Sequence, residues 1–282
     1  MESSRAAVLL VVVAASSLAV ALSHGDDYGG PEFSYIVGSK NGPENWGKLS
    51  PHYRLCGEGR SQSPVDINTN TVISRPELES LDRSYDTVNA TLINNGKDIT
   101  MTFDGKVGDV TIMEEVYTFK MIHWHAPSEH TINGMRYPLE LHMVHVSDDG
   151  GLAVISILYK LGAADPFYLQ LHDMLENLNS PFPKTDLFER EVRVPVGPVQ
   201  LRSLEKRTGN YFRYIGSLTT PPCTENVVWN VLGKVREISK EQLDLITAPL
   251  PHKDARPAQP LNHRDVYFYN PPNSTISFLD HL

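Results

Sequence analysis

Cysteine and positive charge are both scarce in this 282-residue sequence. Only two cysteines occur, Cys56 and Cys223, and neither has a CxxC partner, which argues against a thiol redox site. The 25 lysine and arginine residues are outnumbered by 34 aspartate and glutamate residues, so the net charge is −9. Because phosphate neutralisation needs clustered basic side chains, this composition argues against nucleic acid as a partner.

Linkers, internal repeats and long hydrophobic runs are missing from most of the chain. A single domain over residues 24–282 is therefore predicted. Residues 1–23 differ, because Arg5 precedes the apolar run Ala6–Val13 and a small-residue A-x-A sequence ends at Ala21. This run is too short for a membrane span, so we interpret residues 1–23 as a cleaved signal peptide and expect no membrane attachment after cleavage.

A protein that passes through the secretory route can form disulfides and can be glycosylated, and the sequence has candidate residues for both. In an oxidising compartment an isolated cysteine pair most simply forms one disulfide, here between Cys56 and Cys223. Asn89 and Asn273 each begin an N-x-[ST] sequon and are candidates for glycosylation.

Short β-rich runs separated by turn signals dominate the rest of the sequence. Val88–Ile93 and Ile99–Phe103 flank an Asn-Asn-Gly turn, as in a hairpin, and Leu152–Leu161 is a continuous apolar run typical of a central strand. Helical spacing is limited to Asp165–Leu178 and to a short helix that follows a capping box at Ser239. The pattern predicts a mainly β (β-dominated α+β) single domain with short helices.

Five of the eleven histidines lie in Met121–Val146. His123 and His125 are two residues apart on a predicted strand, so both imidazoles project from one face. His142 lies on a second alternating run and can join them if the two runs are neighbours in a sheet. Three protein nitrogens and one open position are typical of a catalytic zinc site. His145 falls on the opposite face, where a histidine is usually a hydrogen-bonded core residue.

The His123-x-His125 pair alone has two interpretations, a pair of core residues or a pair of metal ligands. The presence of His142 and of Glu140 two residues before it favours the metal. Metal-bound imidazoles usually donate their second N–H to a carboxylate or a carbonyl. Glu140 is therefore the candidate acceptor behind one of the three ligands.

Further motifs in the chain resemble those of the alpha-class carbonic anhydrases in type and in order. Besides the histidine stretch, the matching blocks are Gly42–Trp46, Gln62–Ile67, Gly216–Pro222 and Arg256–Leu261. The leader, the cysteine pair and the histidine stretch look most like plant members of the class. The resemblance implies one large central twisted sheet of about ten mostly antiparallel strands with short peripheral helices. It also implies a Zn²⁺ cofactor and the reversible hydration of carbon dioxide to bicarbonate and a proton.

The resemblance also implies roles for individual residues. His123, His125 and His142 would hold Zn²⁺, and a zinc-bound hydroxide would attack CO₂. Thr219 would accept the hydrogen of that hydroxide and donate its own to Glu129, which makes these two residues catalytic. The other implied positions are His130 and Tyr214, which with Glu140 support the ligands, and the CO₂ pocket residues Val144, Val154, Leu218, Thr220, Val227 and Trp229.

Two positions depart from the family pattern. Lys97 occupies the place at which many members carry a proton-shuttling histidine. Lysine side chains ordinarily stay protonated at neutral pH, so proton transfer is expected to limit turnover. Met121 stands where the family often has a glutamine that hydrogen-bonds the first zinc ligand. We therefore expect His123 to be held less firmly and zinc to bind less tightly.

Two other functions remain open at this point. Some plant proteins of this fold, such as the dioscorins of yam tubers, are storage proteins, so storage with weak or vestigial carbonic anhydrase activity is the alternative. A purely binding relative would normally lack a zinc histidine, and this chain has all three. The expected small-molecule partners are CO₂ and bicarbonate, for a monomer or a dimer. The expected location is extracellular, in the apoplast, with the plastid as the alternative.

Overall fold

A 13-stranded mixed sheet forms the centre of the computed structural model, which describes residues 31–179, 191–205 and 209–271. The strands are β1 Asp66–Ile67, β2 Ile73–Ser74, β3 Asp82–Tyr85, β4 Val88–Asn94, β5 Ile99–Phe103, β6 Gly108–Ile112, β7 Glu115–His125, β8 Thr131–Ile132, β9 Met135–Arg136, β10 Leu139–Ser147, β11 Leu152–Leu161, β12 Val192–Val199, β13 Tyr211–Ser217, β14 Glu225–Leu232, β15 Arg236–Ile238 and β16 Tyr267–Tyr269. The α-helices are α1 Trp46–Leu49, α2 Leu55–Glu58, α3 Pro166–Leu169, α4 His172–Leu178, α5 Arg202–Glu205 and α6 Lys240–Thr247, and 3₁₀ turns lie at Pro43–Asn45 and Pro51–Tyr53.

The strand order across the sheet is β12-β4-β5-β7-β10-β11-β14-β13-β16-β2, with β3, β6 and β15 paired beside this path. Most neighbours are antiparallel, including β10 with both β7 and β11. The parallel pairs are β11 with β14, β11 with β15, and β16 with β2. The predicted fold class, one large and mostly antiparallel sheet with short helices around it, is confirmed.

Strand residues alternate between the two faces of the sheet, as their period of two requires. Leu141 and Met143 of β10 pack with Trp124 of β7 in the larger apolar cluster. Val144 packs on the other face, in a second cluster with Trp229. The ring of His142 contacts Trp229 at 4.9 Å between centroids, so the metal-ligand candidates lie on this second face.

His145 is a buried core residue, as the sequence suggested, and lies on the face of the sheet that carries the larger apolar cluster. Its Nε2 lies 2.7 Å from the Tyr85 hydroxyl, and its Nδ1 lies 3.0 Å from the carbonyl oxygen of Met143. The side chain is fully buried. Both ring nitrogens therefore have partners, and His145 takes no part in the histidine cluster.

The helix predicted over Asp165–Leu178 is two helices, α3 and α4. Asp165 caps the first by accepting the Phe167 N–H at 2.8 Å, with Pro166 in the first turn. The break lies at Gln170 and Leu171, where the Leu171 N–H bonds to the Tyr168 carbonyl oxygen at 3.1 Å, three residues back instead of four. The Gln170 side chain exchanges two hydrogen bonds with the backbone of Gln200 beside this break. The capping box at Ser239 opens α6 as predicted.

The predicted disulfide between Cys56 and Cys223 is present and joins α2 to the turn before β14. Asn89 is exposed on β4, whereas Asn273 and residues 1–23 lie outside the described residues. Among the helices in the described ranges, none is both long and apolar enough to cross a membrane.

Candidate metal centre

Three imidazoles converge where β7 and β10 run side by side. His142 is directly opposite His123 in the antiparallel register, and His125 is opposite Glu140. The three ring centroids are 4.7–5.0 Å apart. One nitrogen from each ring can be chosen so that all three lie within 4.8 Å of one another. The strand pairing therefore brings together the three histidines that the sequence pattern singled out.

Hydrogen bonds decide which nitrogen of each ring faces the centre. His125 Nδ1 donates to the carbonyl oxygen of Asp254 at 2.6 Å, and His142 Nε2 donates to Glu140 Oε1 at 2.7 Å. These bonds leave His125 Nε2 and His142 Nδ1 for a metal. His142 Nδ1 is 3.1 Å from His123 Nε2. His125 Nε2 is buried and accepts no hydrogen bond from any residue in the described ranges.

This donor set fits a zinc ion. Two nitrogens bound tetrahedrally at about 2.0–2.1 Å from zinc are about 3.3–3.4 Å apart, close to the separation of the His123 and His142 nitrogens. Three neutral imidazoles with one open position are the ligand set for which carbonic anhydrase is the standard example. A buried ring nitrogen without a partner, as in His125, is otherwise costly, and a bound metal would satisfy it.

Glu140 is a fully buried carboxylate with an unusually complete set of donors. Its Oε1 accepts hydrogen bonds from His142 Nε2, His130 Nδ1 and the Ser156 hydroxyl at 2.6–2.7 Å. Its Oε2 accepts the backbone N–H groups of Glu129 and His130 at 2.7 and 2.8 Å. Burial opposes ionisation, but His130 and His142 outweigh it and hold the Glu140 pKa well below its usual range.

A chain of hydrogen bonds continues from Glu140 towards β13. Because His130 donates through Nδ1, its Nε2 accepts the hydroxyl hydrogen of Tyr214 at 2.7 Å. Ser63 Oγ lies 2.8 Å from the same hydroxyl and also accepts the Ser217 N–H. The chain fixes the His130 ring, and with it the carboxylate that orients His142.

Glu129 is also fully buried and lies beside His125. Its Oε1 accepts the Arg256 N–H at 2.9 Å, while Oε2 is 3.4 Å from His125 Nε2 and has no hydrogen bond within the described part of the chain. Thr219 is only 5% exposed, but in the described ranges no hydrogen bond links it to Glu129. Glu129 therefore has room to accept one more hydrogen.

Burial and neighbouring charges set the pKa values in the metal-free cluster. Burial, reinforced by the other two imidazoles, lowers the pKa of His123 well below its usual range. Burial also disfavours a charge on His125, but the carboxylates of Glu129 and Asp254 outweigh it and raise the His125 pKa to about 9. Since a metal binds only the neutral ring, binding must displace that proton.

The apolar residues implied for the CO₂ pocket lie together on the face of the sheet that carries the histidines. They share one buried cluster, which contains Val144, Val154, Val227 and Trp229, with Leu218 and Met121 packed against it. Thr220 is partly exposed, and its carbonyl oxygen accepts the Cys223 N–H at 2.8 Å. The Lys97 ammonium lies 4.9 Å from the centre of the Phe33 ring. This cation–π contact fastens Lys97 to the N-terminal segment.

Sequence reasoning missed three residues that hold the site. Asp254 accepts the ring N–H of His125, Ser156 donates to Glu140, and Arg256 donates to Glu129. Ser156 was detectable, because it is a polar residue inside the apolar run of β11 and lies opposite His142. Asp254 and Arg256 lie in irregular structure and act through backbone groups, which leave no signal in a side-chain pattern.

Comparisons with known proteins identify the family of the chain. Residues 41–270 match the eukaryotic-type carbonic anhydrase family. The sequence is 41% identical to alpha carbonic anhydrase 7 of Arabidopsis thaliana over 93% of both chains, and 42% identical to dioscorin DB3L of Dioscorea polystachya over 84% of this chain and 86% of that protein.

Solved structures give the same assignment. The crystal structure of dioscorin complexed with ascorbate superposes with a TM-score of 0.81 at 40% identity, covering 86% of this chain and all of that one. The alpha-carbonic anhydrase of Thermovibrio ammonificans in complex with sulfanilamide gives a TM-score of 0.74 at 35% identity, covering 85% of this chain and all of that one. The chain therefore belongs to the eukaryotic-type, or alpha-class, carbonic anhydrase family.

Proposed function

We propose that this protein catalyses the reversible hydration of carbon dioxide to bicarbonate and a proton with a zinc ion held by His123, His125 and His142. The observation that carries the proposal is the convergence of three imidazole nitrogens beside an apolar cluster, with acceptors behind two of the rings. CO₂ hydration is the activity of the family to which the chain belongs.

When bound, a zinc ion supplies Lewis-acid chemistry that makes water acidic enough to be a nucleophile near neutral pH. The protein's contribution is to present three neutral rings in fixed orientations. Glu140 holds His142 so that Nδ1 faces the centre, and the Asp254 carbonyl holds His125 so that Nε2 does. His123 lacks such an acceptor, since its only side-chain hydrogen bond among the described residues is with His142.

Thr219 and Glu129 would orient the attacking water. A nucleophile must direct a lone pair at the carbon of CO₂, so its remaining hydrogen needs an acceptor, which Thr219 Oγ1 can be. Thr219 must then donate its own hydrogen. The unpartnered Oε2 of Glu129 is a suitable acceptor, because Oε1 is already engaged by Arg256.

CO₂ carries no net charge and is apolar, so an apolar wall suits it better than a charged clamp. Val144, Val154, Val227 and Trp229, with Leu218 beside them, would form this wall. Thr220 would border it. Bicarbonate is charged and gains nothing from such a wall, which favours its release.

Zinc analysis and a sulfonamide-inhibition assay test this proposal together. Purified protein is expected to contain about one zinc ion per chain, and a sulfonamide is expected to abolish its CO₂ hydration. Metal-free protein, or hydration that a sulfonamide leaves unchanged, would contradict the proposal.

A dioscorin-like storage role with weak or vestigial activity is the second candidate. It is supported by the dioscorin relatives, which match over 84–88% of this chain, and by the missing acceptor behind His123. This candidate predicts weak zinc retention and slow hydration, so the same zinc and inhibition measurements separate the two.

We also propose secretion, with residues 1–23 as the cleaved leader and an extracellular location. The disulfide between Cys56 and Cys223 supports it, because such bonds persist in oxidising compartments. Asn89 is exposed on β4 and open to glycosylation. The mass of the secreted protein before and after glycosidase treatment tests both points.

A further inference from the structure

A cavity of about 230 Å³ lies apart from the histidines. Its wall includes Arg213 of β13, Glu114 in the β6–β7 turn and Glu79 in the segment between β2 and β3. Ile112, which also lines it, belongs to the larger apolar cluster, so the cavity lies on the side of the sheet away from the histidines. Pockets for drug-sized ligands are typically about 300–1,000 Å³. This cavity therefore suits a smaller molecule.

Arg213 presents a buried guanidinium to the cavity and is 5% exposed. Its Nε donates to Oδ1 of Asn230, directly opposite on β14, at 2.7 Å, and its charged end lies 4.9 Å from the centre of the Tyr211 ring. Burial lowers the pKa of Arg213, although the nearby Glu79 carboxylate favours its charge without forming an ion pair with it in the described ranges. These contacts leave the two terminal nitrogens, the pair that binds a carboxylate side by side.

The cavity also offers carboxylates to a positively charged group. Glu77 is one of them, but Arg75 pairs with it at 3.1 Å. Glu79 and Glu114 also line the cavity, and neither forms an ion pair within the part of the chain that the structure describes. A simple anion would be repelled by these carboxylates, and a simple cation by the guanidinium. A small molecule that carries both charges satisfies both kinds of group.

The rest of the wall is partly apolar. Ile112 is buried, and Leu78 packs against the larger apolar cluster from the rim of the cavity. Glu114 has a φ of 65°, in the left-handed region where turns of this kind usually carry glycine, asparagine or aspartate. Strained backbone at a non-glycine residue is often found where a side chain has a function. The apolar wall would contact a hydrocarbon side chain on the ligand.

We infer that this cavity binds a free apolar α-amino acid such as leucine. The ligand carboxylate would bind the terminal nitrogens of Arg213, and its ammonium would lie towards Glu79 and Glu114. Its side chain would pack on Leu78 and Ile112. The inference does not depend on the proposed zinc site, because the two sites lie on opposite faces of the sheet.

Titration calorimetry with L-leucine and two truncated analogues tests the inference on the wild-type protein. Isoamylamine lacks the carboxylate, and 4-methylpentanoate lacks the ammonium. A saturating sulfonamide is present throughout, so that the ligands cannot bind a zinc ion on the histidines. We expect leucine to bind and each analogue to bind about tenfold or more weakly, because each leaves a charged group of the cavity unpaired. No binding of leucine, or equal affinity for leucine and either analogue, would overturn the inference.

Two variants test the two ends of the site. Arg213→Lys keeps the positive charge but loses the planar pair of donors, so leucine should bind about tenfold more weakly. Glu114→Gln, at an exposed position, should weaken leucine binding about twofold to fivefold. Glu115→Gln is the matched control, because this neighbour is exposed and does not line the cavity, and it should bind leucine as the wild type does.

Thermal unfolding shows whether each variant is folded. Wild-type leucine affinity in folded Arg213→Lys and in Glu114→Gln would overturn the inference. If Arg213→Lys does not fold, the comparison of Glu114→Gln with Glu115→Gln decides, and equal leucine affinity in these two variants overturns the inference.

Discussion

The Glu140 carboxylate accepts the Nε2–H of His142 at 2.7 Å, and this bond makes Nδ1 the nitrogen of His142 that faces the other two histidines. The bond joins two residues on the same face of β10. The same carboxylate oxygen also accepts from His130, so one buried group fixes two rings. The orientation of the candidate metal centre depends on this acceptor.

Glu140→Gln should therefore weaken both the fold and the site. In the variant, the amide NH₂ must face at least one N–H or O–H group that donates to the carboxylate in the wild type. The free energy of unfolding should therefore fall by about 3 kcal/mol. Zinc affinity should fall about 10–100-fold. Urea unfolding and chelator competition measure the two effects. Glu237→Gln, in an exposed residue that accepts the Ala163 N–H, is the control, and equal behaviour of the two variants would contradict the role given to Glu140.

Met121→Gln should tighten zinc binding. The His123 side chain bonds only to His142 among the described residues, and a glutamine amide oxygen could accept its Nδ1–H. We expect the zinc dissociation constant to fall about tenfold. Met113→Gln, at a position 64% exposed on the β6–β7 turn, is a control for the exchange itself. Unchanged affinity in Met121→Gln would show that His123 needs no such acceptor.

Lys97→His should raise turnover when buffer is dilute. Histidine exchanges protons near neutral pH, whereas lysine ordinarily remains protonated there. The CO₂ hydration rate at low buffer concentration should rise roughly tenfold or more, and the gain should shrink as buffer is added. Lys240→His is the control, because α6 packs on the larger cluster, across the sheet from the histidines. If the CO₂ hydration rate of Lys97→His in dilute buffer equals that of the wild type, proton transfer through this position does not limit turnover.

His145→Gln should make the protein less sensitive to acid. Burial and the Arg83 charge lower the His145 pKa to about 3, from an ordinary value of 6.5. Below pH 6.5 the unfolded chain binds a proton at this residue that the native state does not, so stability falls as pH drops from 6.5 towards 3. Between pH 6.5 and 5 this residue lowers the free energy of unfolding of the wild type by about 2 kcal/mol.

The loss of unfolding free energy between pH 7 and pH 5 should be smaller by that amount in metal-free His145→Gln, as measured by urea denaturation. Equal losses in variant and wild type would mean that His145 takes up its proton in the native state as readily as in the unfolded chain.

The strands that carry the histidines were predictable because a period of two is visible within a few residues, as in β7 and β10. The split between α3 and α4 was not, because the break at Gln170 and Leu171 contains neither glycine nor proline and so gives no local signal. The contact of Asp254 with His125 spans 129 positions and uses a carbonyl oxygen, which every residue has. The local sequence pattern therefore identified the three histidines and Glu140. It did not identify Asp254 and Arg256, which lie in irregular segments and hydrogen-bond to His125 and Glu129.

Zinc content and CO₂ hydration of His142→Ala, compared with the wild type, test the proposed function most directly. We predict that wild-type protein carries about one zinc ion per chain and hydrates CO₂, and that His142→Ala loses both while staying folded. His172→Ala, which removes a histidine on α4, should keep both. A His142→Ala protein with wild-type zinc content and wild-type hydration would contradict the assignment of the three histidines as the metal centre.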